Sequence, residues 1–183
     1  RIDMESSAYT AVTLDIFETL WQQGYSQLGV VLQSCLRRSE GDLDRVNALG
    51  ARVRLVKGAY NEPAEAAYQK KSDVDRAFAR LMETLFREGR YPAIATHDVA
   101  LIEKAKRLAM EVGLSRDAFE FQMLYGIRRD LQTALAAEGY RVRIYIPFGR
   151  EWFPYFMRRL GERPANVWFV IRGLLQETRV AQS

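Results

Sequence analysis

Cross-linking and metal-binding residues are scarce in this chain, which has one cysteine, Cys35, and one histidine, His97, in 183 residues. A single cysteine excludes an intrachain disulfide and suits a reducing compartment. A single histidine argues against a histidine-based metal site. No Ser–His or Cys–His arrangement for nucleophilic catalysis stands out. Charges interrupt every apolar run within about ten residues, too short a stretch to span a bilayer. No signal-peptide pattern opens the chain. Neither a GxGxxG loop nor a GxxxxGK loop followed by Ser or Thr occurs, so the common glycine-rich phosphate cradles are missing. A block of one charge is missing too. The 27 basic and 23 acidic residues interleave, and their net charge of +4 describes solvated helix faces rather than a nucleic-acid footprint. That balance also suits an anionic small ligand or an anionic membrane surface.

What the chain does have is a repeating unit of apolar strand, polar turn, amphipathic helix and glycine. Strands are expected at 1–4, 28–33, 52–60, 92–97, 119–124 and 141–149. Helices are expected at 7–23, from Ser39 to Gly50, from Ser72 to Gly89, from Asp98 to Gly113, and at 128–138. Two more are expected at 151–162 and 168–176. Ser39-Glu40-Gly41-Asp42 and Ser72-Asp73-Val74-Asp75 resemble helix caps, and Gly24 sits where a helix ends in the left-handed conformation. The polar stretch 61–72 is long enough to be functional or mobile. Six strands alternating with helices imply α/β architecture with a parallel sheet. The unusual polar residues Asp3, Gln33, Lys57, Thr96, His97 and Tyr145 all fall at carboxyl ends of strands. Both the barrel and the open doubly wound sheet bind ligands there. Two further units ahead of Arg1 would complete an eight-stranded barrel. The expectation is therefore one barrel domain over 1–183, carrying the six carboxyl-terminal βα units and terminal helices.

The most informative stretch is RVRLVKGAY, 52–60. Alternation puts Arg52, Arg54 and Val56 on one face, with Val53, Leu55 and Lys57 on the other. A cation in an apolar strand is costly to bury unless a polar or anionic group meets it. Arg54 and Lys57 are thus either solvated strand ends or ligand contacts. A second pattern lies at 153–162. Phe153, Phe156, Met157 and Leu160 form one helical stripe, and Tyr155, Arg158, Arg159 and Glu162 form another beside it. Paired arginines can clasp a carboxylate, although a solvated Arg–Glu face has the same spacing.

RIDME, VVLQ, RLVKGAY, ATH, FQMLYG, YIPFG and YFMRRLGE, in this order, resemble the proline dehydrogenase family, in its bacterial monofunctional type. The likeness runs from Arg1 to about Glu162. It implies a (β/α)8 barrel that binds FAD at the carboxyl ends of its strands. It also implies oxidation of L-proline to Δ1-pyrroline-5-carboxylate, the first step of proline catabolism, with electrons passed to a membrane quinone. Residue by residue, it sets Arg54 beside the reactive N5 region of the flavin, with Asp3 as the acidic partner of the site. Met4, Gln33, Lys57, Gly58, Ala59, Thr96, His97 and Glu162 become flavin contacts. Arg158 and Arg159 become the grip on the substrate carboxylate, with Tyr60, Leu124, Tyr145 and Tyr155 around the ring. The family's substrate-contacting lysine belongs to an earlier strand, upstream of Arg1. No metal is implied.

Two other readings stay open at this point. One is a different barrel enzyme acting on an anionic substrate, and the other is a non-enzymatic basic binding module. The location expected is cytoplasmic, with room for a peripheral contact at the inner face of the cell membrane.

Overall fold

A computed structural model describes residues 1–146 together with 148 and 149. The expected helices at 151–162 and 168–176 lie outside the described residues, as do Tyr155, Arg158, Arg159 and Glu162. Helix α1 (Ser7–Gln22) leads to β1 (Gly29–Gln33), α2 (Ser39–Ala48), β2 (Arg52–Val56) and α3 (Lys71–Glu88). Then follow β3 (Ala93–Ala95), α4 (Val99–Glu111), β4 (Glu120–Leu124), α5 (Arg129–Ala137) and β5 (Arg141–Tyr145).

The five strands form one sheet in the order β1-β2-β3-β4-β5, and each neighbouring pair is parallel. Strand order therefore never reverses. A doubly wound open sheet needs such a reversal to make its ligand crevice, whereas a barrel adds each strand beside the last. The sheet is built as part of a (β/α) barrel.

Register explains what each face does. Val30, Leu32, Val53, Leu55, Ile94, Phe121 and Met123 are buried in the main core, on the face that the helices cover. Leu14 and Phe17 of α1, Leu43 and Val46 of α2, and Phe78, Leu81, Met82 and Leu85 of α3 close over it. Burial of this kind contributes about 25 cal/mol per Å² of apolar surface. The opposite face carries Gly29, Val31 and Gln33 on β1, beside Arg52, Arg54 and Val56 on β2. It continues with Ala93 and Ala95 on β3, Glu120, Gln122 and Leu124 on β4, and Arg141, Arg143 and Tyr145 on β5. One face is oily and the other is charged, with small residues at its middle.

Several expected boundaries shift. The strand expected at 1–4 is reduced to one bridge, Ile2 with Val30, anchored by the Ile2 N–H donating to the Gly29 carbonyl at 2.9 Å. The strand expected to reach Tyr60 stops at Val56, because the chain turns at Gly58. The last strand stops at Tyr145. Neither serine cap forms. Arg38 and Lys70 stand at the N-cap positions of α2 and α3 without a side-chain cap. The Ser39 hydroxyl instead donates to the Gln33 carbonyl at 2.6 Å, a tertiary contact that outcompetes the local one. Asp98 does cap α4, accepting the Ala100 N–H at 3.1 Å. Gly24 takes the left-handed conformation with φ 94°, as its place after α1 requires.

Candidate functional site

At the carboxyl ends of the strands lies a cavity of about 210 Å³. It is lined by Asp3, Met4, Gln33, Arg54, Lys57, Gly58, Ala59, Thr96, His97, Leu124 and Tyr145, with Val31, Val56, Ala95, Gln122 and Met123. Period-two alternation delivers Gln33, Arg54, Ala95, Gln122, Leu124 and Tyr145 to one surface. The turns after the strands deliver the rest.

Arg54 is the cation of this surface. Its Nε donates to Gln122 Oε1 at 2.7 Å, and its Nη1 lies 3.5 Å from Asp3 Oδ2. Its guanidinium carbon stands 5.6 Å from the centre of the Tyr145 ring. Acid, base and aromatic are thereby assembled from three parts of the chain. Arg52 and Arg143 add further cations to the same sheet face. Arg1 is pushed down to about 10, by burial first and then by the charges of Arg54, Arg143 and Arg52, with Glu120 opposing.

Gln33 is buried, and its Nε2 donates to the carbonyls of Met4 at 3.3 Å and Glu5 at 3.1 Å. Those two bonds fix the amide orientation. Its Oε1 then has no hydrogen-bond partner among the described residues, an acceptor whose burial is costly until a donor arrives. His97 Nε2 accepts the Leu124 N–H at 2.9 Å, so the ring proton of the neutral imidazole belongs on Nδ1. This bond ties the β3–α4 turn to β4. The Thr96 hydroxyl oxygen accepts the Asp98 N–H at 3.1 Å, so its own hydrogen can be donated elsewhere.

Gly58 permits a close approach that no other residue would. Its φ is +100°, and a Cβ built there would stand 2.3 Å from Cys35 Sγ. The Cys35 N–H donates to the Lys57 carbonyl at 2.9 Å, so the two turns are packed as one. The 57–70 connection is hydrogen-bonded in place along its length. Tyr68 N–H donates to the Cys35 carbonyl at 2.8 Å, and Ser7 N–H to Glu62 Oε1 at 2.8 Å.

Two expected contacts are arranged differently from the rest. Lys57 lines the cavity, but its ammonium is held by Asp98 Oδ2 at 2.8 Å and by Asp75. Tyr60 is half exposed and off the cavity wall, with its hydroxyl donating to Glu5. Conversely, Gln122 belongs to the site although FQMLYG, the stretch that contains it, was read for Leu124 and not for Gln122. The signal available was alternation, which places it two residues before Leu124 on the same face.

The Lys57 cluster has a consequence for stability. Burial opposes ionisation of Asp75 and Asp98, but hydrogen bonds and charge from Lys57 and Lys71 outweigh it, holding both below the ordinary aspartate value. A carboxylate held down in this way stabilises the fold above its unfolded pKa. The contribution disappears as pH falls through the aspartate range toward the folded value. Lys57→Met is expected to cost about 1–3 kcal/mol at neutral pH, with the deficit shrinking on acidification below pH about 4. Urea unfolding of both proteins across pH checks this, and a deficit that does not vary with pH would refute it.

The model of the proline dehydrogenase family matches residues 1–172. The chain belongs to the proline dehydrogenase family. It is 51% identical over 176 residues to the proline dehydrogenase of Deinococcus radiodurans, covering 96% of this chain and 57% of that one. It is 45% identical over 176 residues to proline dehydrogenase 2 of Bacillus subtilis strain 168, covering 96% and 58%. The chain thus spans somewhat more than half the length of these relatives. Among solved structures, proline utilization A (PutA) from Bdellovibrio bacteriovorus inactivated by N-propargylglycine superposes with a TM-score of 0.81 at 29% identity. That match covers 86% of this chain and 19% of that one. PutA from Corynebacterium freiburgense matches with a TM-score of 0.71 at 25% identity, covering 97% and 22%.

Proposed function

We propose that this chain forms the FAD- and proline-binding part of an enzyme that oxidises L-proline to Δ1-pyrroline-5-carboxylate. The observation that carries the reading is the convergence of Asp3, Gln33, Arg54, Thr96, His97 and Tyr145 on one cavity at the carboxyl ends of the strands, in a chain of this family.

The residues present suit a flavin. A flavin ring offers an N–H donor, and the buried Gln33 Oε1 is an acceptor in want of one. Gly58 and Ala59 bare the backbone at the cavity wall, and Thr96 and His97 bring a hydroxyl and a ring N–H. Met4, Gln33, Arg54, Lys57, Gly58, Ala59, Thr96 and His97 are the proposed contacts, joined by Glu162 from outside the described residues. When bound, FAD supplies a two-electron acceptor for the hydride that leaves proline C5.

The protein's own groups do the rest. Arg54 keeps positive charge on the cavity surface, where negative charge accumulates as electrons arrive. Asp3 stands within ion-pair reach of Arg54 and helps hold it. Tyr145 and Leu124 give the ring of proline apolar walls that exclude water, with Tyr155 added from outside the described residues, while Tyr60 stands off the cavity wall. Arg158 and Arg159 are proposed to clasp the substrate carboxylate with paired hydrogen bonds. The substrate amine must be neutral for its lone pair to form the C=N bond as the C5–H bond breaks.

Electrons leave to a membrane quinone in this reading. Among the described residues no helix is long and apolar enough to cross a membrane, and the net charge of +4 favours a peripheral contact with an anionic surface. Among the described residues many surface cations are paired with acids, as in Arg38–Asp42, Arg80–Glu40 and Arg87–Glu83. This supports an enzyme over a basic nucleic-acid module.

The test is an absorption spectrum of the purified full-length protein, of measured intact mass, before and after addition of L-proline. The expected result is a flavin band that bleaches with L-proline and returns with a quinone analogue. A colourless protein, or a flavin band indifferent to L-proline, would overturn the reading.

A further inference from the structure

From the cavity wall a line of polar side chains runs along β4, and the proposed chemistry gives Gln122 and Glu120 in it no task. Gln122 and Glu120 on β4 are each 3% exposed. Glu120 accepts Arg143 Nε and Nη2, both at 2.8 Å, and also accepts Gln122 Nε2. Gln122 Oε1 in turn accepts Arg54 Nε at 2.7 Å. A primary amide is nearly symmetric in shape and could present either end to Arg54. Only the oxygen end is useful, because a guanidinium has no acceptor.

Glu120 decides which end faces where. An ionised carboxylate only accepts, so the amide nitrogen must face Glu120 and the amide oxygen must face Arg54. Burial opposes ionisation of Glu120, but Arg143 and Gln122 outweigh it and hold the carboxyl below its ordinary range. Register makes the line possible. Gln122 pairs with Arg143, and Glu120 with Arg141, across β4 and β5. On the intervening strand β3, Ala93 and Ala95 are too small to obstruct the reach from β2 to β4.

We propose that Gln122 is a positioning residue, oriented by the Glu120–Arg143 pair, that fixes the Arg54 guanidinium at the cavity. Its importance for turnover rests on the reading that Arg54 assists proline oxidation. Its hold on Arg54 does not.

Two variants of the full-length protein test this. Gln122→Met keeps the shape and loses the acceptor, while Glu120 retains both bonds from Arg143. Gln122→Glu keeps an acceptor toward Arg54, and because two adjacent buried carboxyls hold one proton between them it can still donate to Glu120. Exchange of the Arg54 Nε–H with solvent is followed by NMR, with the signal assigned by its loss in Arg54→Lys, and kcat and KM for L-proline are measured beside it. Exchange is expected to accelerate at least about tenfold in Q122M. The kcat is expected to fall about tenfold to a hundredfold with KM within about twofold. Q122E should recover a substantial part of both. A circular-dichroism melt shows that the variants are folded, and Gln122→Leu, which also lacks the acceptor, takes the place of Q122M should that variant be unstable.

Wild-type exchange and kcat in Q122M would overturn the proposal. So would a Q122E as impaired as Q122M in both readouts. A wild-type protein inert to L-proline, whose Arg54 signal still loses protection in Q122M, would sink the proline reading and uphold the hold of Gln122 on Arg54.

Discussion

Arg54→Met is expected to lower kcat for L-proline by about a hundredfold to a thousandfold. Methionine fills much of the same volume but carries neither charge nor donors. The substitution therefore removes the cation from the cavity, the bond to Gln122 Oε1 and the contact with Asp3. A preorganised charge acts most strongly where water is excluded, and the guanidinium is largely buried. Losing it should affect the step in which charge moves more than the binding of proline, so KM is expected to change less than kcat. Bound flavin per chain, measured on the same sample, separates a slowed step from a lost cofactor. An R54M protein with full flavin content and undiminished kcat would show that Arg54 does not assist the reaction.

Gly58→Ala is expected to destabilise the fold by about 2–5 kcal/mol, combining left-handed strain of about 1–3 kcal/mol with an overlap of similar size. The overlap has a named partner. The new methyl would stand 2.3 Å from Cys35 Sγ, and Cys35 is held against Lys57 by its own N–H. The double variant C35A/G58A should recover the steric part and leave the backbone part, giving a coupling of at least about 1 kcal/mol. Urea midpoints of the four proteins provide the cycle. A G58A protein as stable as wild type would contradict this geometry, and so would a double variant with no coupling. Cys35 is otherwise chemically quiet. Burial first, and then the charge of Glu62, push its thiol up to about 11, far from the thiolate needed for reactivity.

The parallel sheet and its carboxyl-end site were legible in the sequence because alternation is a local signal. RVRLV states which side of β2 is apolar, whereas GVVLQ is apolar throughout and takes its facing from the register that pairs Val31 with Arg54. Boundaries were less legible. The reach of β2 to Tyr60 failed because positive φ at Gly58 turns the chain before the apolar pattern ends. Ser39 failed as a cap because the carbonyl of Gln33, six residues away, competes for its hydroxyl. Lys57 is instructive in another way. Alternation already put it on the face opposite Arg54, and its ammonium does lie with Asp75 and Asp98 on the helical side. Gln122 stands inside the quoted FQMLYG stretch, but its role was not legible, because it depends on Glu120 two residues before it and on Arg54, 68 positions away in sequence. Strand order, which rules out the open sheet, also cannot be read locally.

The third strand shows only methyl groups, Ala93 and Ala95, to the interior. The hollow is therefore made by omission: two missing side chains in the middle of the sheet open the room that the flanking strands equip with charge. Capacity and chemistry are consequently written at different addresses, so the breadth of what can enter could drift at one strand while the arginine, glutamine and tyrosine around it stayed as they are.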